Sequence, residues 1–203
     1  MLAATVVVVT RNRPAETDRC VSSIVRQRPQ PNVILLDNAS DPDQRPMPPP
    51  GGVRPLRCSR PLGVASARNF ALEHVESPVA VLLDDDAEFQ DTDAIRRILD
   101  VFDAAPRVAL LALNCLATRP DGPPLEQMRL VGGLRGATPR FTLGAQSAVP
   151  SAEFIGAGCA FRMEAFRTLG GFREDFVYGY EEFHLSLRLL EGGAVPGVVE
   201  NEG

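Results

Sequence analysis

Three consecutive carboxylates, Asp84, Asp85 and Asp86, follow directly on the apolar run Val79 to Leu83. Like charges packed this closely either raise one another's pKa or recruit a cation. A hard divalent ion, Mg2+ or Mn2+, would satisfy them, since such ions bind one or two carboxylates and complete their shell with substrate phosphate oxygens. The acids could instead form a solvated turn ahead of a helix at Thr92, where negative charge favours the helix N-terminus. One Asp would fit that account, but three at a strand end fit an ion better. A calcium loop fits poorly, because nothing after Asp86 supplies the Gly and distal Glu of an EF-hand.

A second acidic centre lies in Tyr178-Gly179-Tyr180-Glu181-Glu182-Phe183-His184, which runs into Leu185, Leu187, Leu189 and Leu190 at helical spacing. Taken alone, adjacent acids at a helix start are a capping device. Beside a metal site, one of them becomes a general base able to deprotonate an acceptor hydroxyl.

These residues need elements to hold them. Thr5 to Thr10 is a β-branched run without polar alternation, as in a strand buried on both faces of a parallel sheet. Pro14 then suits a first helical turn, and Cys20, Val21, Ile24 and Val25 recur on one face. Val33 to Leu36 repeats the strand pattern and ends in the turn formers Asp37 to Pro42. Pro42 to Pro55 is too proline-rich for a regular element and reads as a surface loop.

A helix over Val64 to Glu76, the strand Val79 to Leu83, a helix over Thr92 to Asp103 and a strand over Val108 to Leu113 continue the alternation. The pattern predicts a three-layer α/β/α fold with a mostly parallel central sheet. Open sheets of this kind bind ligands beyond the carboxyl ends of their strands, which is where Asp84 to Asp86 fall. Asn114 to Pro150 is rich in Gly and Pro and weakly periodic. Regularity returns at Glu153 to Phe161, a short helix around Glu164 to Leu169, a helix from about Glu182 to Glu191, and an apolar piece ending at Val199.

With 203 residues, 44% of them hydrophobic, the chain can bury one core, and one domain is expected over 1–203. The formal charge of -5 and pI near 5.1 argue against a general nucleic-acid binder, which needs a basic face. Cys20, Cys58, Cys115 and Cys159 have neither zinc-site nor disulfide-scaffold spacing, so reduced cytosolic thiols are the simplest reading. Leu2 to Val9 lacks a basic n-region and a cleavage site, and no apolar run approaches the roughly 20 residues of a membrane span. A cytoplasmic protein is expected, with any membrane association peripheral and at the inner face.

In this order the segments resemble the family two glycosyltransferases, inverting enzymes of the nucleotide-diphospho-sugar transferase (GT-A, Rossmann-like) fold. Val6 to Arg13 looks like the family's first strand and uridine-facing loop, including Thr10, Asn12 and Arg13. Val33 to Asp41 looks like its second strand, with Asp37 and Asn38 at the base-binding position. Gly63-Val64-Ala65-Ser66-Ala67-Arg68-Asn69 is similar to its glycine and arginine-asparagine helix, and Leu83-Asp84-Asp85-Asp86 to its D-x-D element. Gly156-Ala157-Gly158-Cys159-Ala160-Phe161-Arg162 with Leu169-Gly170-Gly171-Phe172 resembles its acceptor-side segment, and Glu181-Glu182 its Glu-Asp pair.

The resemblance implies that a sugar moves, with inversion, from a UDP-, GDP- or dTDP-sugar to a hydroxyl acceptor such as a glycan, a lipid-linked sugar or a small molecule. Asp37 and Arg68 would hold the nucleobase, Asp85 or Asp84 the ribose, and Asp86 the Mn2+ or Mg2+ on the diphosphate. Glu182 would be the base, with Glu181 orienting the acceptor or sharing the proton. Residues 1–113 would form the nucleotide-sugar half, and 114–203, with Gly156 and Gly158 on the acceptor side, the acceptor-binding and catalytic half.

Outside that motif order, plainer roles suit some of these residues. Asp37 is an ordinary turn former, Arg68 a solvated helix arginine, and the two glycines relieve a tight bend. Two departures stand out. The pair is Glu-Glu, with His184 where a further acid is often found, and no His follows the last helix to join the metal. Either the ion is held without it or a carboxyl-terminal portion is missing. A weak or inactive nucleotide-sugar binder of the same fold is therefore the alternative. A sugar-phosphate nucleotidyltransferase is disfavoured, because Thr10 to Pro14 has no Gly and the chain has no Lys.

Overall fold

The computed structural model describes residues 2–46, 51–113, 154, 156–176 and 179–193, together with the backbone of 116–119, 122–126, 141–143, 146–150 and 195–199. Its elements run β1 (Ala4–Thr10), α1 (Pro14–Val25), β2 (Asn32–Asp37), β3 (Val53–Arg57), α2 (Val64–Leu72), β4 (Val79–Asp84), α3 (Ala94–Ala104) and β5 (Val108–Ala112). Then follow β6 (Leu116–Arg119), β7 (Gly122–Glu126), β8 (Phe141–Leu143), β9 (Gln146–Pro150), β10 (Gly158–Arg162), α4 (Met163–Thr168), α5 (Glu181–Glu191) and β11 (Val195–Val199).

Among the described residues nine strands form one sheet in the order β3-β2-β1-β4-β10-β5-β11-β9-β8, and β6 pairs with β7 apart from it. The pairs β3-β2, β2-β1, β1-β4 and β5-β11 are parallel, and only β9 and β10 of the sheet's described strands oppose the common direction, so the sheet is the mostly parallel one expected, in three layers. β10 enters antiparallel between β4 and β5, and one sheet therefore carries strands from both the earlier and the later part of the chain.

Period two along the strands separates two cores. Val6 and Val8 of β1 and Val79, Val81 and Leu83 of β4 pack with Cys20, Val21 and Ile24 of α1 and Ile95, Leu99 and Phe102 of α3. Val7 of β1 and Ala80 and Leu82 of β4 face the other way, against Ala67, Ala71 and Leu72 of α2, Phe166 of α4 and Leu185 and Leu189 of α5. This alternation decides which way the acids beyond β4 point: Asp84 continues the row of Leu82, toward α2 and α5.

Some boundaries differ from those read off the sequence. β3 begins at Val53, inside the stretch read as loop, because Pro55 lies in an edge strand, where a missing N–H does no harm. α2 stops at Leu72 instead of Glu76, and His74 and Val75 close it with turn hydrogen bonds to Ala71 and Leu72. Asn114 to Pro150 contains β6 to β9, whose short strands carry too few residues for period two to show. The other residues of that stretch lie outside the described residues. Among the described residues no helix is long and apolar enough to cross a membrane.

Candidate functional site

At the carboxyl edge of the sheet, the loop after β1 turns into α1 at Pro14 and the loop after β4 carries Asp85 and Asp86 past it. Thr10 donates to Asp85 Oδ2 at 2.7 Å and lies 2.7 Å from the Thr17 hydroxyl, which itself donates to the Arg13 carbonyl at 2.6 Å. Arg13 reaches Asp85 Oδ1 at 3.3 Å and Asp86 Oδ2 at 2.8 Å. Burial pushes the Asp85 carboxyl above its ordinary pKa, with Thr10 and Arg13 pulling the other way. Asp86 stays outward, its side chain 53% exposed.

A second group gathers beyond β2. Asp37 accepts from the Ser40 N–H at 2.8 Å through Oδ1 and pairs with Arg57 through Oδ2. Arg57 also donates to the Ser40 carbonyl at 2.9 Å. Parallel pairing sets Asp37 opposite Arg57, so this neutralising partner depends on register and carries no local sequence signal. Asn38 clamps Leu62 from both sides, donating to its carbonyl at 3.0 Å and accepting from its N–H at 2.9 Å. Asn12, in the left-handed region at φ 60°, exchanges hydrogen bonds with Asp41 at 2.9 and 2.8 Å, which joins the β1 and β2 loops.

The third group is the most buried. Arg68 of α2 donates to Glu182 Oε1 at 2.8 Å, with Glu181 Oε1 at 3.4 Å and Asp84 Oδ1 at 3.3 Å. An antiparallel strand begins where its parallel neighbours end, so β10 brings its lead-in to this edge, and Asp84 N–H donates to the Ala157 carbonyl at 3.0 Å. A Cβ at Gly156 would stand 2.5 and 2.6 Å from the two Arg68 Nη atoms and closer still to Glu182 Oε1, so any larger residue there must push the ends of those two side chains aside. Gly158 has a different role, inside β10 opposite Leu83, its carbonyl accepting from Leu113 N–H at 2.9 Å.

Burial raises the pKa of Asp84, with Arg68 opposing, and burial likewise raises that of Glu181. Burial alone would lower the Arg68 pKa, but Asp84 and Glu182 outweigh it and hold the guanidinium above its ordinary value. Tyr180 at φ 69° turns the chain into α5, which places Glu181 and Glu182 in its first turn, where the helix dipole favours negative charge.

The residues singled out from sequence thus share one edge but divide into three groups. Asp37 and Arg68, paired by resemblance as nucleobase holders, have separate sets of contacts. Arg57, Ser40 and Thr17 were not singled out, though Ser40 lies among the turn formers after β2 and Thr17 is a polar β-branched residue in the first turn after Pro14. Among the described residues no three His, Cys, Asp or Glu side chains converge as a ready metal cage. The donors still suit Mg2+ or Mn2+, which take one or two carboxylates and leave the remaining positions to water and phosphate oxygens. Asp86 is the most exposed of the three aspartates and is paired with Arg13.

Residues 5–170 match the family profile described as Glycosyl transferase family 2. No curated protein matches the chain. Among solved structures, a mannosyltransferase from Pyrobaculum calidifontis, PcManGT in complex with GDP-Man and Mn2+, superposes with TM-score 0.69 at 20% identity over 97% of this chain. GalNAc-T7 with UDP, GalNAc and Mn2+ gives TM-score 0.78 at 17% identity over 98%. TarS 1-349 of S. aureus in complex with UDP gives 0.68 at 13% over 98%. The chain spans 56%, 42% and 57% of those three chains, and at these identities the likeness is one of fold.

Proposed function

The chain belongs to the glycosyl transferase family 2, and we propose from that premise that it transfers a sugar from a nucleotide diphosphate-sugar to a hydroxyl acceptor with inversion. The observation that carries the proposal is the meeting of Asp84 with Glu181 and Glu182 around one arginine, within two residues of the outward Asp86. One edge thus holds acids suited to a cation-bound diphosphate beside a carboxylate suited to a proton.

In this reading Asp37, ordered by Arg57 and Ser40, accepts from the nucleobase edge, and Asp85, fixed by Thr10, faces the ribose. Asp86 would hold the Mn2+ or Mg2+. When bound, that ion offsets the charge developing on the leaving diphosphate. Glu182 takes the proton of the acceptor hydroxyl as its oxygen bonds to the anomeric carbon, and the bond from that carbon to the diphosphate breaks on the opposite face. Glu181, buried and with its pKa raised by that burial, orients the acceptor. Gly156 and Gly158 belong to the acceptor-side segment in this reading.

A thermal-shift panel of UDP, GDP, dTDP, CDP and ADP, with and without Mn2+, tests donor binding. A ligand specific to the folded state adds about 2.7 kcal/mol at a hundredfold excess over its dissociation constant. A Mn2+-dependent shift with one nucleotide, followed by release of that nucleoside diphosphate from its sugar conjugate, supports the transferase. Binding without release supports the weak or inactive binder, and no shift with any nucleotide refutes both.

A further inference from the structure

Arg68 sits in a helix that otherwise turns Ala65, Ala67, Ala71 and Leu72 to the core, yet its own side chain is only 9% exposed. A guanidinium so buried is costly to desolvate and persists where acids meet it with good geometry. Its acids come from two distant elements, the end of β4 and the first turn of α5. Nη2 faces Asp84 while Nη1 faces the glutamates, so one rigid fork ties α5 to the sheet. The fork also distinguishes the two glutamates, at 2.8 Å from Glu182 but 3.4 Å from Glu181, whose Oε2 has no hydrogen-bond partner in the structure described. The other wall is the bare backbone of Gly156.

We propose that Arg68 is the positioning residue for the Glu182 carboxylate, fixing it relative to Asp84 and hence to the edge where the donor lies, with Gly156 kept bare to admit the fork. The proposal rests on Glu182 being the proton acceptor. A glutamate on a helix surface samples several rotamers, and a misplacement near 1 Å at a reacting group costs on the order of 10²-fold in rate. Holding Glu182 from one side by a planar donor removes that freedom. The same geometry separates Arg68 from the group around Asp37, which has its own arginine in Arg57.

A double-mutant cycle decides the matter. The full chain carrying Arg68→Ala, Glu182→Gln or both is compared with wild type in Mn2+. Three quantities are read: the urea midpoint, affinity for UDP and GDP, and nucleoside diphosphate release from UDP-glucose and GDP-mannose. The midpoint losses should be less than additive, since the two side chains share one contact. Arg68→Ala should keep nucleotide affinity, lose about 10- to 100-fold in release, and add no further loss to Glu182→Gln. Additive midpoints, or nucleotide binding weakened with release per bound donor intact, would overturn the proposal and move Arg68 to the nucleotide pocket. Release that survives Glu182→Gln would instead sink the reading of Glu182 itself. Arg68→Lys covers the case in which the alanine variant does not fold. An ammonium keeps the charge but cannot span two carboxylates as a fork does, so affinity should hold and release should fall; wild-type release from the lysine variant would again overturn it.

Discussion

Replacing Gly156 with alanine adds one methyl group at the tightest point of the site, and its consequences can be worked out from distances. The new Cβ would lie 2.5 and 2.6 Å from the Arg68 nitrogens and closer still to Glu182 Oε1, where ordinary contact begins near 3.4 Å, so the guanidinium and the carboxylate must each retreat by about 1 Å. A retreat of that size by either group stretches the 2.8 Å hydrogen bond between them beyond bonding range. Overpacking of this kind costs about 1 to 3 kcal/mol, and the weakened charged hydrogen bond falls in a similar range. The carboxylate, released by about 1 Å, should lose on the order of 10²-fold in turnover. The three atoms nearest a Cβ at Gly156 belong to Arg68 and Glu182 and none to the β1 or β2 loop, so nucleotide affinity should stay near wild type. Urea unfolding, calorimetry with UDP or GDP in Mn2+, and nucleoside diphosphate release measure the three quantities. A Gly156→Ala protein with unchanged midpoint and unchanged turnover would refute the claim that this glycine makes room for the fork.

Asp86→Ala should remove the Mn2+ dependence of nucleotide binding while leaving the fold intact, since its side chain is half exposed; calorimetry with and without Mn2+ checks it. Asp37→Ala should weaken nucleotide binding by about 1 to 3 kcal/mol with or without metal, because a base-edge hydrogen bond does not pass through the ion; a loss that vanishes without Mn2+ would place Asp37 at the cation instead. Glu181 supplies a pH test. Its folded-state pKa lies above the ordinary carboxylate value because of burial, so between the two values the folded chain binds more protons than the unfolded one. Its contribution to stability is therefore present at low pH and is lost as pH rises through that window. Glu181→Gln should flatten this part of the profile of urea midpoint against pH, and an unchanged slope would contradict the burial.

The family and the layers could be read from the chain, as could the acids proposed for the site, though not Arg57, Ser40 or Thr17 beside them. Valine and leucine runs without polar alternation predicted strands covered on both faces, and helical spacing between them predicted the layers. Acids placed directly after one such run pointed to the sheet edge as the site, because strand ends are where open sheets bind ligands. These features are local, so the sequence displays them. The register that sets Asp37 opposite Arg57, the antiparallel entry of β10 that brings Gly156 to the acids, and the convergence of Arg68 on Glu182 across 114 residues are of another kind. Each depends on which strand lies beside which. Arg68 shows the limit most clearly: on α2 it could as well have been a solvated arginine. Only the packing of α5 against the same face of the sheet surrounds it with carboxylates and turns it into the link between them.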